Sequence, residues 1–514
     1  MEKTLEEKVG QMLMAGFDGP TAPEYFLQWL SEGRLGGVIL FARNVDNPEQ
    51  LAALTRQLHE AAKYPLLIAI DQEGGTVARL REGFSESPGA LALASIHDHR
   101  ETVVEEVSFV LATEMKALGI NWTYAPVVDI HYNSANPTIG TRSFGADPED
   151  IATLAACAVR GFQKGGVAAC AKHFPGLGNT PIDTHLALPI LDTTVEQLRS
   201  VDLLPYRFAL DNQLATIMTT HTIFSTLDSE HPATMSPIII QQLIRDGLGF
   251  DGVVTTDCME MKAIDDNYPI ADSVVAAALA GVDVILFSHT AAKQAAAYEH
   301  LLTAGQSGRV SMDIIETANR RIEALKAQFP AWQPDLDRVN TPEHQNVMQR
   351  TARASISQPR SEVGVLPLKA DDSRHILLVE FAPGVDSPVQ ETTRPSHLGY
   401  YIRQRFPDAE IIVMPTVPSQ DDVAPILERE ADVLIVATRN AHLIPAQEQA
   451  VKTLSQHPAT IILLALRNPY DAQLIESTTV LCSAGDSRPS LEAITAALAG
   501  DFIPTGRVHD ALRH

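Results

Sequence analysis

Residues 172–185 read Lys172-His173-Phe174-Pro175-Gly176-Leu177-Gly178-Asn179-Thr180-Pro181-Ile182-Asp183-Thr184-His185. A short apolar run, Val167 to Ala171, precedes them and has the look of a buried strand. The glycines and prolines then make a loop able to move, and it ends in Asp-x-His. A carboxylate two residues from an imidazole can fix its tautomer and support its protonated form. Such a histidine can donate a proton to a leaving-group oxygen. A polar loop pair with a solvated histidine is the plainer reading of the same residues.

A second carboxylate with chemical promise is Asp257, in Gly252-Val253-Val254-Thr255-Thr256-Asp257-Cys258-Met259-Glu260-Met261. It sits just past an apolar strand, where a carboxylate is costly unless used or paired. A strand-end Asp can equally cap the next helix, and Glu260 three residues on fits that alternative. Asp71-Gln72-Glu73-Gly74-Gly75 follows another strand, with Arg79 four residues further. Arg142 lies in the loop Asn136 to Phe144, and Lys172 with His173 ends a strand. Carboxylates, arginines and a lysine converging on one mouth suit a ligand rich in hydroxyls. No glycine nest for a nucleotide phosphate and no HExxH-like metal spacing accompanies them, so no cofactor and no metal are expected.

These residues need a frame that brings them together. Short apolar runs at 11–16, 36–41, 66–71, 121–129, 167–172, 216–221, 252–257 and 283–288 read as eight strands. Amphipathic helical stretches lie between most of them, at 101–118, 148–164, 194–211, 236–247 and 271–281. The pattern is α/β, and eight such units predict a (β/α)8 TIM-like barrel over residues 1–330. Polar residues follow the strands' C-terminal ends: Asp71, Asp129, Lys172, His173, His221 and Asp257. That is the face where such barrels carry their active sites. A doubly wound open sheet is the competing architecture, and it fits eight polar-ended strands less well.

A proline-rich stretch near 329–342, a helical segment at 342–355 and a loop through Pro359 to Pro367 predict a linker over 331–373. A second βα alternation begins at 374 and runs to 514. Its strands, at 375–381, 410–415, 432–438, 460–466 and 479–484, predict a parallel sheet flanked by helices, a smaller αβ-sandwich domain. Phe381-Ala382-Pro383-Gly384-Val385 after its first strand is no dinucleotide fingerprint. This domain offers no identifiable site and is expected to be structural or an interaction module.

Composition bounds the function class. The chain has 514 residues, 45% of them apolar and 20% charged, which suits a soluble globular protein of two or three domains. Its formal net charge of −25 disfavours nucleic acid and anionic membranes as partners. The four cysteines, Cys157, Cys170, Cys258 and Cys482, show no C-x-x-C spacing, so neither a disulfide framework nor a zinc site is expected. The N-terminus lacks an apolar signal core and no run reaches transmembrane length. A cytoplasmic location is the expectation. The oligomeric state is open.

Six motifs occur in one order: Asp-Gln-Glu-Gly-Gly (71–75), Tyr-Ala-Pro-Val-Val-Asp-Ile (124–130), Ile-Gly-Thr-Arg-Ser-Phe (139–144), Lys-His-Phe-Pro-Gly-x-Gly (172–178), Asp-Thr-His (183–185) and Thr-Asp-x-Met-x-Met (256–261). That order resembles the β-N-acetylhexosaminidase branch of glycoside hydrolase family 3, over residues 5–330. The later part looks like the extra αβ domain of some members. The resemblance implies Asp257 as nucleophile, His185 as general acid/base and Asp183 as the residue that tunes it. It implies Asp71, Arg79, Arg142, Lys172 and His173 as contacts to a nonreducing-end N-acetylglucosamine. Residues 180–185 would be a mobile flap. The implied enzyme is a retaining exo-β-N-acetylglucosaminidase acting on peptidoglycan fragments or short chitooligosaccharides. A β-glucosidase, a phosphorylase of the same family and a noncatalytic sugar-binding protein are the alternatives. The chain departs from the common pattern at Leu177, where many relatives have His, and at Asn179, where many have Asp. Thr256 and Cys258 also differ from a common Ser-Asp-Asp form.

Overall fold

The structure is a computed structural model and describes residues 3–507 except 332, 370–373, 386, 392–395 and 477. Residues 332 and 370–373 of the expected linker lie outside the described residues, as does the end of the second domain from 508. Eight parallel strands form the first sheet: β1 Leu13–Ala15, β2 Gly37–Leu40, β3 Leu67–Ile70, β4 Trp122–Thr123, β5 Cys170–Phe174, β6 Thr216–Thr219, β7 Val253–Cys258 and β8 Val284–Phe287. Their order is β4-β3-β2-β1-β8-β7-β6-β5. Isolated parallel bridges, Trp122 to Ala168 and Val127 to Lys172, join β4 to β5. The sheet is therefore a nearly closed TIM-like barrel, as the eight apolar runs predict.

The strands are valine-, isoleucine- and leucine-rich because both faces are covered, one by helices and one by the barrel interior. β2, β3 and β8 are buried throughout. The helix Pro148–Lys164 shows how the sequence sets an element. Asp147 caps it, accepting from the N–H groups of Glu149 and Asp150, and Pro148 occupies its first turn, where a missing N–H costs nothing. Its apolar stripe, including Ile151, Leu154 and Phe162, packs inward.

Two barrel segments differ from expectation. The run 121–129 yields only Trp122–Thr123 as regular strand. Pro126 has no N–H to give to a ladder, so pairing beyond Thr123 reduces to single bonds, such as Cys170 N–H to the Ala125 carbonyl at 2.8 Å. The fifth strand is Cys170–Phe174, later than the run 167–172, so Lys172 and His173 lie within it.

The second sheet has six strands: β9 Ser357–Arg360, β10 Ile376–Phe381, β11 Glu410–Met414, β12 Val433–Thr438, β13 Thr460–Ala465 and β14 Thr479–Cys482. The order is β9-β14-β13-β12-β10-β11, parallel except for β9 against β14. Side-chain alternation splits the core in two. Ile376 and Leu378 pack on one face, and Leu377, Val379 and Phe381 on the other. β9 falls where a loop was expected. Pro359 hides it from sequence reading, yet an edge strand tolerates proline on its unpaired side. The helix Pro342–Ser355 leads into it.

The two sheets' units are bound together by side chains. Glu86 of the barrel and Arg488 of the second domain pair at 2.6 Å. A short turn of the second domain, Pro388–Gln390, reaches the barrel mouth. Among the described residues, no helix is long and apolar enough to cross a membrane.

Candidate active site

A buried lattice of charges forms the floor of the barrel mouth. Lys172, on β5, places Nζ 2.8 Å from Asp71 and 2.7 Å from Glu73, both in the loop after β3. Arg142, in the 3-10 turn Gly140–Arg142, donates from Nε and Nη2 to the two oxygens of Glu73, each at 2.9 Å. Arg79 Nη2 reaches Asp71 at 3.3 Å. The loop after β3 can fold this tightly because Gly74 and Gly75 take φ values of 91° and 58°, where side chains are strained. Added Cβ atoms there would meet Ser87 Cβ and Gly89 Cα at 2.9 Å.

The lattice keeps these groups ionised. Burial alone would raise the carboxyl of Glu73, but the charges of Arg142 and Lys172 outweigh it and hold Glu73 at about 2. Asp71 is held well below the carboxylate range in the same way, against burial, by Lys172 and Arg79. Burial would lower Lys172, yet Asp71 and Glu73 raise it above the ordinary lysine value.

His173, next to Lys172, is fixed by Asp129. Its Nδ1–H donates to Asp129 Oδ2 at 2.7 Å, which fixes the orientation of the ring. The other oxygen of Asp129 accepts the Leu177 N–H at 2.6 Å, so one carboxylate sets both the histidine and the root of the following loop. Leu177 is buried against Val127 and Ile139. Asn179 is exposed. Gly178 is required by space, since a Cβ there would lie 1.6 Å from the Ile130 carbonyl oxygen.

Asp257 lies near the end of β7. Its Oδ1 accepts the Cys258 N–H at 2.7 Å. The short helix Lys262–Asp265 starts at Met261 without a side-chain cap, so Asp257 is not spent as one. Glu260 instead accepts the N–H groups of His289 and Thr290. His221 is buried and supports the turn: its Nε2–H donates to the Cys258 carbonyl at 2.9 Å. Burial pushes the Cys258 thiol up to about 12, which leaves it protonated and inert.

Asp183 and His185 form a closed pair. Asp183 Oδ1 accepts from both the backbone N–H and the ring Nδ1–H of His185, each at 2.8 Å. Burial would raise Asp183, but its bonds to His185 and Ser387 bring it to about 2. Asp71, Arg79, Arg142, Lys172, His173, His185 and Asp257 line a single cavity of about 290 Å³, and Asp183 stands behind His185.

Glu73 and Asp129 support this cavity without being singled out for binding in the sequence reading. Both follow strand ends in quoted motifs, so position alone was the available signal. Pro388, Val389 and Glu391 of the second domain also line it. Glu391 pairs with Arg79 Nε at 2.6 Å, and the Val389 carbonyl accepts from Arg79 Nη1 at 2.8 Å. The second domain, expected to be structural or an interaction module, is thus part of the cavity wall. No spacing in the sequence links these residues to the barrel mouth.

Residues 4–325 match the family model "Glycosyl hydrolase family 3 N terminal domain". A beta-hexosaminidase A from Pseudoalteromonas piscicida is 32% identical over 388 residues, covering 70% of this chain and 64% of that protein. This chain thus spans a little under two thirds of that relative's length. A beta-hexosaminidase from Thiobacillus denitrificans is 39% identical over 261 residues, 50% of this chain and 72% of that one. The solved structure of a glycoside hydrolase family 3 beta-N-acetylglucosaminidase from Paenibacillus sp. str. FPU-7 superposes with a TM-score of 0.92 at 35% identity, covering 99% of this chain and 98% of that one. The barrel, the charged mouth and these likenesses together place the chain in glycosyl hydrolase family 3, in its β-hexosaminidase branch.

Proposed function

We propose that the chain is a retaining exo-β-N-acetylglucosaminidase. The observation that carries the reading is the Asp183–His185 pair at 2.8 Å opening onto the same cavity as Asp257. In this reading Asp257 attacks the anomeric carbon of the terminal sugar and forms a glycosyl ester. His185, held by Asp183, gives its Nε2 proton to the departing oxygen. Water then enters, His185 takes its proton, and the ester is hydrolysed with overall retention. A histidine does here what a second carboxylic acid does in most retaining glycosidases.

Asp71, Arg79, Arg142, Lys172 and His173 bind the sugar's hydroxyls. Their side chains are held in place by pairing, so they present oriented donors and acceptors. A cavity of about 290 Å³ is at the small end of ligand sites, which suits one terminal sugar and exo action. The beta-N-acetylglucosaminidase name of the Paenibacillus relative supports N-acetylglucosamine as that sugar. Peptidoglycan-derived fragments and short chitooligosaccharides are the substrate classes that carry it at a nonreducing end.

A panel of aryl β-glycosides, assayed with and without millimolar phosphate and analysed by NMR, tests the reading. Release of β-N-acetylglucosamine as first product, faster than β-glucose, is expected. Preference for the glucoside would reassign the sugar. A dominant sugar 1-phosphate would make the enzyme a phosphorylase.

A further inference from the structure

The dyad is held from outside the barrel. Ser387, 1% exposed and part of the second domain, donates its hydroxyl to Asp183 Oδ2 at 2.6 Å. That length is typical of a charge-assisted O–H···O⁻ bond. The two oxygens of Asp183 therefore have different tasks: Oδ1 serves His185 and Oδ2 serves Ser387. A carboxylate's terminal torsion is broad and roughly two-fold. A donor on one oxygen sets the tilt at which the other meets the imidazole.

The turn that carries Ser387 is anchored in its own right. Arg79 holds it by the Val389 carbonyl and the Glu391 carboxylate. The Ala42 N–H donates to the second oxygen of Glu391 at 2.9 Å. Glu391 has a φ of 64° and ψ of −52°, a rare conformation for an L residue that surrounding contacts must stabilise. The loop is open to solvent at Ile182 and Leu186, 43% and 58% exposed, on either side of the dyad. A buried anchor lies between two exposed positions.

We propose that Ser387 is a positioning residue for the general acid/base: a latch from the second domain that holds Asp183, and through it His185, in the proton-transfer pose. This rests on the reading of Asp183 and His185 as the proton-transfer pair. It gives the second domain a kinetic role that its sequence does not suggest. A serine that merely tied the domains together would slow all substrates alike or none.

The test uses the full chain. Ser387→Ala is compared with wild type on aryl β-N-acetylglucosaminides that span good to poor leaving groups. His185→Ala and the double variant complete the cycle. Ser387→Ala is expected to lower kcat/KM, which reports the glycosylation step, about tenfold on poor leaving groups, the loss of one hydrogen bond to a charged group. The value of kcat/KM on the best leaving group should change less than about twofold. In the His185→Ala background, Ser387→Ala should have no further effect, because the latch acts through that imidazole. A uniform loss across leaving groups, or an undiminished loss in the double variant, overturns the latch. No loss in Ser387→Ala also overturns it. If His185→Ala itself shows no leaving-group dependence, the proton-transfer reading has failed rather than the latch alone.

Discussion

Glu73 holds Arg142 with both carboxylate oxygens, at 2.9 Å each, while one of those oxygens also lies 2.7 Å from Lys172. One buried carboxylate therefore orients two of the cations assigned to the sugar. It needs no contact with substrate to matter for binding.

Replacing it exposes that dependence. Glu73→Gln keeps the shape and removes the charge, which leaves Arg142 without its bidentate partner. Breaking one side of a buried pair costs about 3–5 kcal/mol. We expect a lower melting temperature and a fall in kcat/KM of about tenfold or more, expressed mainly in KM. Thermal melts and steady-state kinetics check both. An unchanged KM would mean that Arg142 is positioned by its other bond, to the Thr138 carbonyl.

Asp257→Asn should reduce turnover by several orders of magnitude while sugar binding persists, since an amide cannot form the glycosyl ester. A 2-fluoro sugar with an activated leaving group should label Asp257 in the wild type. Mass spectrometry of the labelled peptide decides the matter, and a label on any other residue removes the nucleophile assignment.

His185→Ala should slow poor leaving groups far more than activated aryl ones, which need little protonation. Asp183→Asn should act in the same sense and more mildly. Its amide can present either an oxygen or an NH₂ to the ring, so the imidazole loses its fixed tautomer. A Brønsted plot of log(kcat/KM) against leaving-group pKa is the measurement, since that ratio reports the glycosylation step alone. Parallel plots for variant and wild type would make these residues sugar ligands.

Asp202 offers a pH-dependent stability test away from the chemistry. Burial and the nearby Asp129 charge raise its carboxyl from 3.8 to about 6, while Tyr132 donates to it at 3.1 Å. With a folded value above the unfolded one, its contribution is fully present below pH 3.8 and is lost as pH rises through about 6. Each unit is worth about 1.4 kcal/mol. Asp202→Asn removes the titration, so the stability of the variant relative to wild type should increase between pH 4 and 7, by on the order of 2 kcal/mol. Denaturant melts of both proteins across that range test it. A difference independent of pH would show that Asp202 does not titrate there.

Much of this architecture is legible in the chain. Eight apolar runs mark the eight barrel strands because β-strands in a helix-wrapped sheet must be apolar on both faces. Asp71, Lys172, His173 and Asp257 are visible because they interrupt that pattern at the ends of the apolar runs. Local spacing also places Asp183 beside His185. What was hidden depends on distance or on rule-breaking residues. Ser387 meets Asp183 across 204 positions, and Glu391 meets Ala42 across 349. No periodicity encodes such contacts. β9 was hidden by Pro359, which reads as a breaker until its edge position is known. Trp122–Thr123 is shorter than its apolar run because Pro126 ends the ladder.

The charges at the barrel mouth have a further consequence. Arg79, Arg142 and Lys172 are matched by Asp71, Glu73 and Glu391, three cations against three carboxylates. The site brings its own counterions, so dissolved salt finds little there to displace or screen. At these six groups, contact with an uncharged sugar ring is therefore expected to vary little with the ionic strength of the medium, whatever the −25 charge of the chain as a whole.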